Sequence, residues 1–215
     1  MNRLFNRLFP FCILFLGILV SCKTPPKPEI KLIDPPEFSQ ADEPFANVYK
    51  ILDGEWNGEF IILEDSNPRP LSEVNLTELT KAHIESASLK EVNRIKVNQV
   101  YTSESPYFQR VVITDYYPDS DKTEVSTGVN KIEDGKMWCI VDKPNEKIIH
   151  HGSTRGDDTI IWSSNQKSPQ KIEFFQETVG EKFYEIIGYG YYAGDDATIS
   201  PRLWFYGKYE RANSQ

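Results

Sequence analysis

Few side chains in this sequence could do chemistry, and most of them are scattered. His150 and His151 are neighbours in a strand-like stretch. Successive side chains on a strand point to opposite faces, so the pair cannot hold one metal ion. One of the two must face inward, which is where a haem ligand would be wanted. His83 stands alone. Asp157-Asp158 and Asp195-Asp196 each follow a glycine and read as turn residues rather than acid/base pairs or calcium ligands. Cys139 lies between Trp138 and Ile140, with no base nearby in sequence to activate it, so it reads as a small buried hydrophobe. There is no Gly-x-Ser-x-Gly elbow, phosphate loop or Cys/His zinc spacing. We therefore expect no catalytic set, no metal site and no cofactor motif.

What remains is a group of aromatic, amide and guanidinium side chains that could line or close a binding cavity: Trp56, Phe60, Gln99, Tyr101, Tyr107, Arg110, Phe205 and Arg211. Positioning them requires strands. Gly54-Glu55-Trp56-Asn57-Gly58-Glu59-Phe60-Ile61-Ile62-Leu63 alternates, placing Trp56, Gly58, Phe60 and Ile62 on one mostly apolar face. A glycine within a strand marks a bulge, a bend or a close backbone approach. Ile95, Val97, Gln99 and Tyr101 share a face of a second strand. Tyr107 to Tyr117 opposes Val111 and Ile113 to Arg110, Val112 and Thr114. Further strands are expected at 123–132, 136–141, 147–153, 159–163, 171–179, 182–192 and 202–211, punctuated by turns such as Glu133-Asp134-Gly135. About ten short strands at even spacing predict an all-β barrel or sandwich. Phe45 to Leu52 reads as a short helical or 3₁₀ entry, with Val48, Ile51 and Leu52 as plugs for the base.

Leu71 to Glu91 is the single helical patch. Asn75-x-x-Glu78 looks like a capped start, and Leu76, Leu79, His83 and Ala87 recur at helical spacing. Such an insert after the first strand could cover a barrel mouth as a lid or pack on the outside.

In the last strand, Leu203, Phe205, Gly207, Tyr209 and Arg211 share a face. An even strand count runs first and last strands antiparallel, so they can pair and close the sheet, bringing Arg211 near Trp56. A tryptophan after the first glycine and an arginine on the last strand resemble the calycin superfamily of lipocalins and fatty-acid-binding proteins. That resemblance implies a closed antiparallel barrel of about ten strands with a short helical insert after the first. A more local resemblance adds to it. Asn98-Gln99-Val100-Tyr101, then Pro106-Tyr107-Phe108-Gln109-Arg110-Val111, is similar to the Glu-Gln-Ala-Tyr and Pro-Tyr-Arg-Gln-Arg-Val segments of the T-type (CpcT/CpeT) phycobilin lyase family. Asn98 and Phe108 depart from that pattern. The resemblance implies a calycin-like barrel able to hold a tetrapyrrole, with Gln99, Tyr101, Tyr107 and Arg110 at the site.

The ends of the chain bear on where it works. Arg3 and Arg7 precede an apolar run from Leu8 to Val20, too short for a comfortable membrane span but suited to a secretory signal. Leu19-Val20-Ser21-Cys22 resembles a bacterial lipobox, which implies a signal peptide over 1–21 and acylation at Cys22. Acyl chains burying about 0.8 kcal/mol per CH₂ would anchor the chain firmly. A proline-rich stretch over 22–46 reads as a tether, leaving a barrel domain over 47–212. No Asp follows Cys22 directly, which favours an outer-membrane lipoprotein facing the periplasm. Formal charge is −8 for the 215 residues, and beyond the first 21 there are 22 basic against 32 acidic side chains. A net-acidic domain without a basic run argues against nucleic acid and against anionic lipid surfaces as partners. The expected partners are a small, mostly apolar molecule (a tetrapyrrole or a lipid among the candidates) inside the barrel, and the membrane through the N-terminal anchor.

Overall fold

In the computed structural model, residues 32–212 are described. Cys22, the signal-like run and the first part of the proline-rich stretch lie outside them. Ten antiparallel strands follow one another: β1 Gly54–Asp65, β2 Leu89–Ser105, β3 Phe108–Tyr117, β4 Lys122–Glu133, β5 Lys136–Asp142, β6 Lys147–Arg155, β7 Thr159–Lys167, β8 Gln170–Val179, β9 Phe183–Tyr192 and β10 Leu203–Arg211. Each pairs with its sequence neighbours, and β10 returns to β1, closing an up-and-down barrel with no free edge.

The closing seam runs from Trp56 opposite Arg211 to Glu64 opposite Leu203. It needs Gly58, because a Cβ there would lie 2.0 Å from the Lys208 carbonyl oxygen on β10. The β4–β5 hairpin turns on Asp134 and Gly135, whose φ values of 53° and 68° are those of a two-residue type I′ turn. One seam is incomplete. The β6–β7 ladder is in register only from His151 opposite Ser163 to Arg155 opposite Thr159, so β6 above His151 and β7 above Ser163 diverge. A surface cleft of about 470 Å³ opens there, lined by Lys147, Ser164, Gln166 and Glu173 among others.

The base is sealed from within. Asn47 leads into a 3₁₀ turn, Lys50–Leu52, that crosses the barrel floor as expected for a plug. Tyr49, Leu52 and Trp56 are at most 2% exposed, and the Trp56 indole N–H donates to the Leu52 carbonyl at 2.8 Å. Tyr184 and Tyr209 stack with centroids 5.0 Å apart beside them. The part of the proline-rich stretch within the described residues lies against the outer wall. A 3₁₀ helix, Gln40–Phe45, buries Asp42, which accepts from the Gly135 N–H at 2.7 Å. Leu32 packs on the outward side chains Phe108, Val129 and Ile140 of β3 to β5.

The β1–β2 connection differs from the sequence expectation in extent. Helix is confined to one turn, α1 Lys81–Ile84, after a 3₁₀ turn at Leu71–Glu73. β2 already begins at Leu89 and pairs with the end of β1. Asn75 does not cap a helix: its side chain accepts from the Thr77 N–H at 3.0 Å and the Thr77 hydroxyl at 2.6 Å, a local Asx turn. Leu79 is buried, and Leu76 and Ile84 half-buried, by another route. They cover Phe174, Ile187, Tyr189, Trp204 and Tyr206 on the outside of β8 to β10. The Gln176 side chain holds Leu79 through both its N–H and its carbonyl, at 3.3 and 3.0 Å. The insert is a patch on the wall, and the lid alternative does not hold.

Candidate functional site

Above the sealed base the barrel keeps a cavity of about 170 Å³. Its wall interleaves the apolar Phe60, Val111, Ile113, Trp162, Phe175 and Ile186 with Cys139 and the polar Gln99, Tyr101, Asn130, Lys143, His150, Glu177 and Tyr184. Strand alternation puts each of these inward. In register, Trp162 faces Phe175 across β7–β8, Glu177 lies opposite Ile186 on β9, and Asn130 lies opposite Cys139 on β5.

The structure gathers part of the expected set. Phe60, Gln99 and Tyr101 line the cavity. Phe205 stacks on Phe60 at 5.8 Å and packs on Phe175 at 5.5 Å, backing the cavity wall. Trp56 and Arg211 close the base rather than line the cavity, with the guanidinium 4.1 Å from the indole centroid. Arg211 also donates to the Asp53, Ile51 and Glu181 carbonyls, tying the floor to the seam. Arg110 is a correction. It lies on the outer face of β3, over the Phe108 ring and paired with Glu104 at 2.7 Å. The reason is the alternation of its own strand, which turns Gln109 and Val111 inward and therefore Arg110 outward. Tyr107 sits in the β2–β3 turn against Phe38, with ring centroids 5.4 Å apart, and is not on the cavity wall. The set Gln99, Tyr101, Tyr107 and Arg110 is thus divided between interior, turn and outer wall.

Of the histidines, His150 points inward and is 8% exposed, while His151 packs outside on Trp138. His150 meets Glu173 at 3.2 Å, and Tyr192 donates to the same carboxylate at 2.7 Å. Asp158, Asp195 and Asp196 accept turn hydrogen bonds from Thr159, Tyr192 and Thr198. Among the described residues no group of three or more His, Cys, Asp or Glu could hold a metal ion.

Sequence reasoning missed two carboxylates, Glu173 and Glu177, that point into the barrel from β8. Burial pushes Glu177 up to about 7, against opposing hydrogen-bond contributions from Trp162 and Tyr184. Glu173 is 7% exposed, and burial would raise it too. Hydrogen bonds from His150 and Tyr192, with the charge of Lys171, outweigh that and hold it below the ordinary carboxylate value. Burial, then the charge of Glu177, pushes the Cys139 thiol far up, so it is an inert wall residue. A deep carboxyl titrating near neutrality, in a cavity, is what a ligand-recognition or proton-transfer site requires.

The amide orientations on the opposite wall follow from their partners. Gln109 is fully buried, and its side-chain N–H donates to the Tyr49 carbonyl at 2.8 Å and to Asp53 at 2.9 Å. Both partners are acceptors, so the Gln109 carbonyl must face Asn130, whose amide N–H donates to it at 2.9 Å. The Asn130 carbonyl is left buried without a partner.

Compared with known proteins, the chain matches no protein-family model and no curated protein.

Proposed function

We propose that this protein is a binding barrel that takes one small, mostly apolar molecule into its interior, in the manner of the calycin-like barrels it resembles. One observation carries the reading: a cavity above a sealed floor, lined by apolar side chains with a few polar groups among them. Small-molecule sites have that composition, a mostly apolar wall with a few fixed polar groups. Its size favours a compact ligand. A cavity of about 150 Å³ holds benzene, whereas drug-sized ligands occupy pockets of about 300–1,000 Å³. A tetrapyrrole or a long acyl chain would require the interior to widen. The divergence of β6 and β7 supplies the way in, with the Glu173–His150 pair beside it. The lipobox-like Leu19-Val20-Ser21-Cys22 supports a lipid-anchored place in a bacterial envelope, on an outer membrane facing the periplasm. Among the described residues no helix is long and apolar enough to cross a membrane.

Native mass spectrometry of the full chain, before and after exposure to single-ring aromatics, fatty acids, haem and biliverdin, tests the binding. One single-ring molecule per chain is expected. No uptake of any of them would leave a barrel with a structural role. Incorporation of labelled palmitate, lost in Cys22→Ser, tests the anchor.

A further inference from the structure

Two acceptors on the cavity wall are incompletely met: the Glu177 carboxylate, which has the neutral donors Trp162 and Tyr184 beside it but no cation, and the Asn130 carbonyl, which has no donor. Glu177 makes no ion pair among the described residues. The carbonyl of Asn130, itself 2% exposed, makes no hydrogen bond, and the Gln109 network fixes it in that orientation. The two share one region, since the charge of Glu177 reaches Cys139, which faces Asn130 in register. The cationic side chains of the interior are engaged elsewhere. Lys171 and His150 serve Glu173 and Arg211 caps Trp56 at the floor, while Lys143, which also lines the cavity, has its charge felt at Asp115 and Glu124 and not at Glu177. The remaining titratable groups facing Glu177 are Tyr101 on β2, Cys139 on β5, Tyr184 on β9 and Tyr209 on β10. All are neutral near pH 7, because burial pushes each one up.

A buried acceptor without a donor costs free energy unless a ligand supplies one. A buried carboxylate without a cation calls for a positive charge. Aromatic faces beside it, Trp162 and Phe175 here, add the attraction of a ring quadrupole for a cation. We infer that the cavity takes a small organic cation, an amine on a compact apolar body, with its N–H groups on Glu177 and Asn130 and its body against Trp162 and Phe175. This rests on the interior-binding reading and adds the charge of the ligand to it.

Three isosteric probes separate the two: benzylamine, benzyl alcohol and benzoate, titrated calorimetrically into the full chain. Benzylamine should bind at least 10-fold more tightly than the other two at pH 8. Its affinity should fall about 100-fold between pH 8 and pH 5, as Glu177, pushed up to about 7, takes a proton and loses its charge. Glu177→Gln keeps the shape and should abolish both the amine preference and the pH dependence, while benzyl alcohol still binds. Asn130→Leu should weaken benzylamine several-fold without changing its pH profile. Benzyl alcohol or benzoate binding as well as benzylamine would overturn the cation assignment and leave interior binding intact. An amine preference that survives Glu177→Gln would also overturn it. Binding of none of the three would remove both readings.

Discussion

Glu173 and Glu177 leave the same strand, point into the same barrel and stand two inward steps apart, yet their protons behave oppositely. Both are penalised by burial. Glu173 lies beside the β6–β7 divergence with His150, Tyr192 and Lys171 around it, and its proton is driven off. Glu177 lies two inward positions further along the strand, with only the neutral Trp162 and Tyr184 opposing burial, and its proton is retained to about pH 7. Desolvation is common to both, and the local supply of donors and positive charge decides the sign. The barrel thus pairs the charge of Glu173 and leaves that of Glu177 without a cation, and the second is where a ligand has something to contribute.

The largest effect should come from removing the seal that keeps the deep site dry. Trp56 is fully buried, and Trp56→Ala should cost about 3–5 kcal/mol in denaturant unfolding. Water entering through the floor should also bring Glu177 back toward the ordinary carboxylate range, collapsing the contrast with Glu173.

Next is Glu177 itself. Its folded value of about 7 lies above the unfolded 4.5, so the folded state holds an extra proton between them. Its contribution to stability is therefore fully present below pH 4.5 and is lost as pH rises through 7. At pH 8 Glu177→Gln should stabilise the fold by about 3 kcal/mol, and at pH 4 by almost nothing. Equal effects at both pH values would show that the carboxyl is not desolvated.

Glu173→Gln should do the reverse. Its folded value is lowered, so its contribution is present above the unfolded value and fades as pH falls through the folded one. Losing the charged hydrogen bonds from His150 and Tyr192 should cost about 2 kcal/mol at pH 7 and little at low pH.

The smallest effect sharpens the comparison by leaving it alone. Arg211→Lys should weaken the indole contact and the floor hydrogen bonds, costing about 1 kcal/mol, without moving either glutamate's titration. A shift at Glu177 in that variant would mean that the seam, not only the plug, keeps the cavity dry.

The fold was largely legible in the sequence because its signals are local. Alternation and turn residues place all ten strands, and the inward rows of β1, β2 and β10 follow from Trp56, Gln99 and Tyr209 by counting in twos. Closure was legible through the even strand count and the Trp56–Arg211 match, which the register bears out. The insert was not. Leu76, Leu79 and Ile84 are apolar because a wall lies beneath them, and helical spacing was one way among several to satisfy it. The site was half legible. Its aromatic side was read from Phe60 and Tyr101. Its carboxylates were hidden because β8 mixes polar and apolar residues on both faces: Phe174 lies under the insert and Phe175 lies in the barrel, so neither face marked the outside. With Phe175 and Val179 inward, Glu177 must be inward too. Arg110 shows the opposite: the local motif points to the site, whereas the alternation of its own strand turns the side chain outward.

The central claim is that one glutamate sits desolvated in the interior without an ion pair while its neighbour is paired. Carboxyl ¹³C titration of the full chain by NMR reads this directly. One glutamate resonance should titrate near pH 7 and vanish in Glu177→Gln, while another, lost in Glu173→Gln, titrates below 4.5. All glutamates titrating together between about pH 4 and 5, the ordinary range, would contradict it.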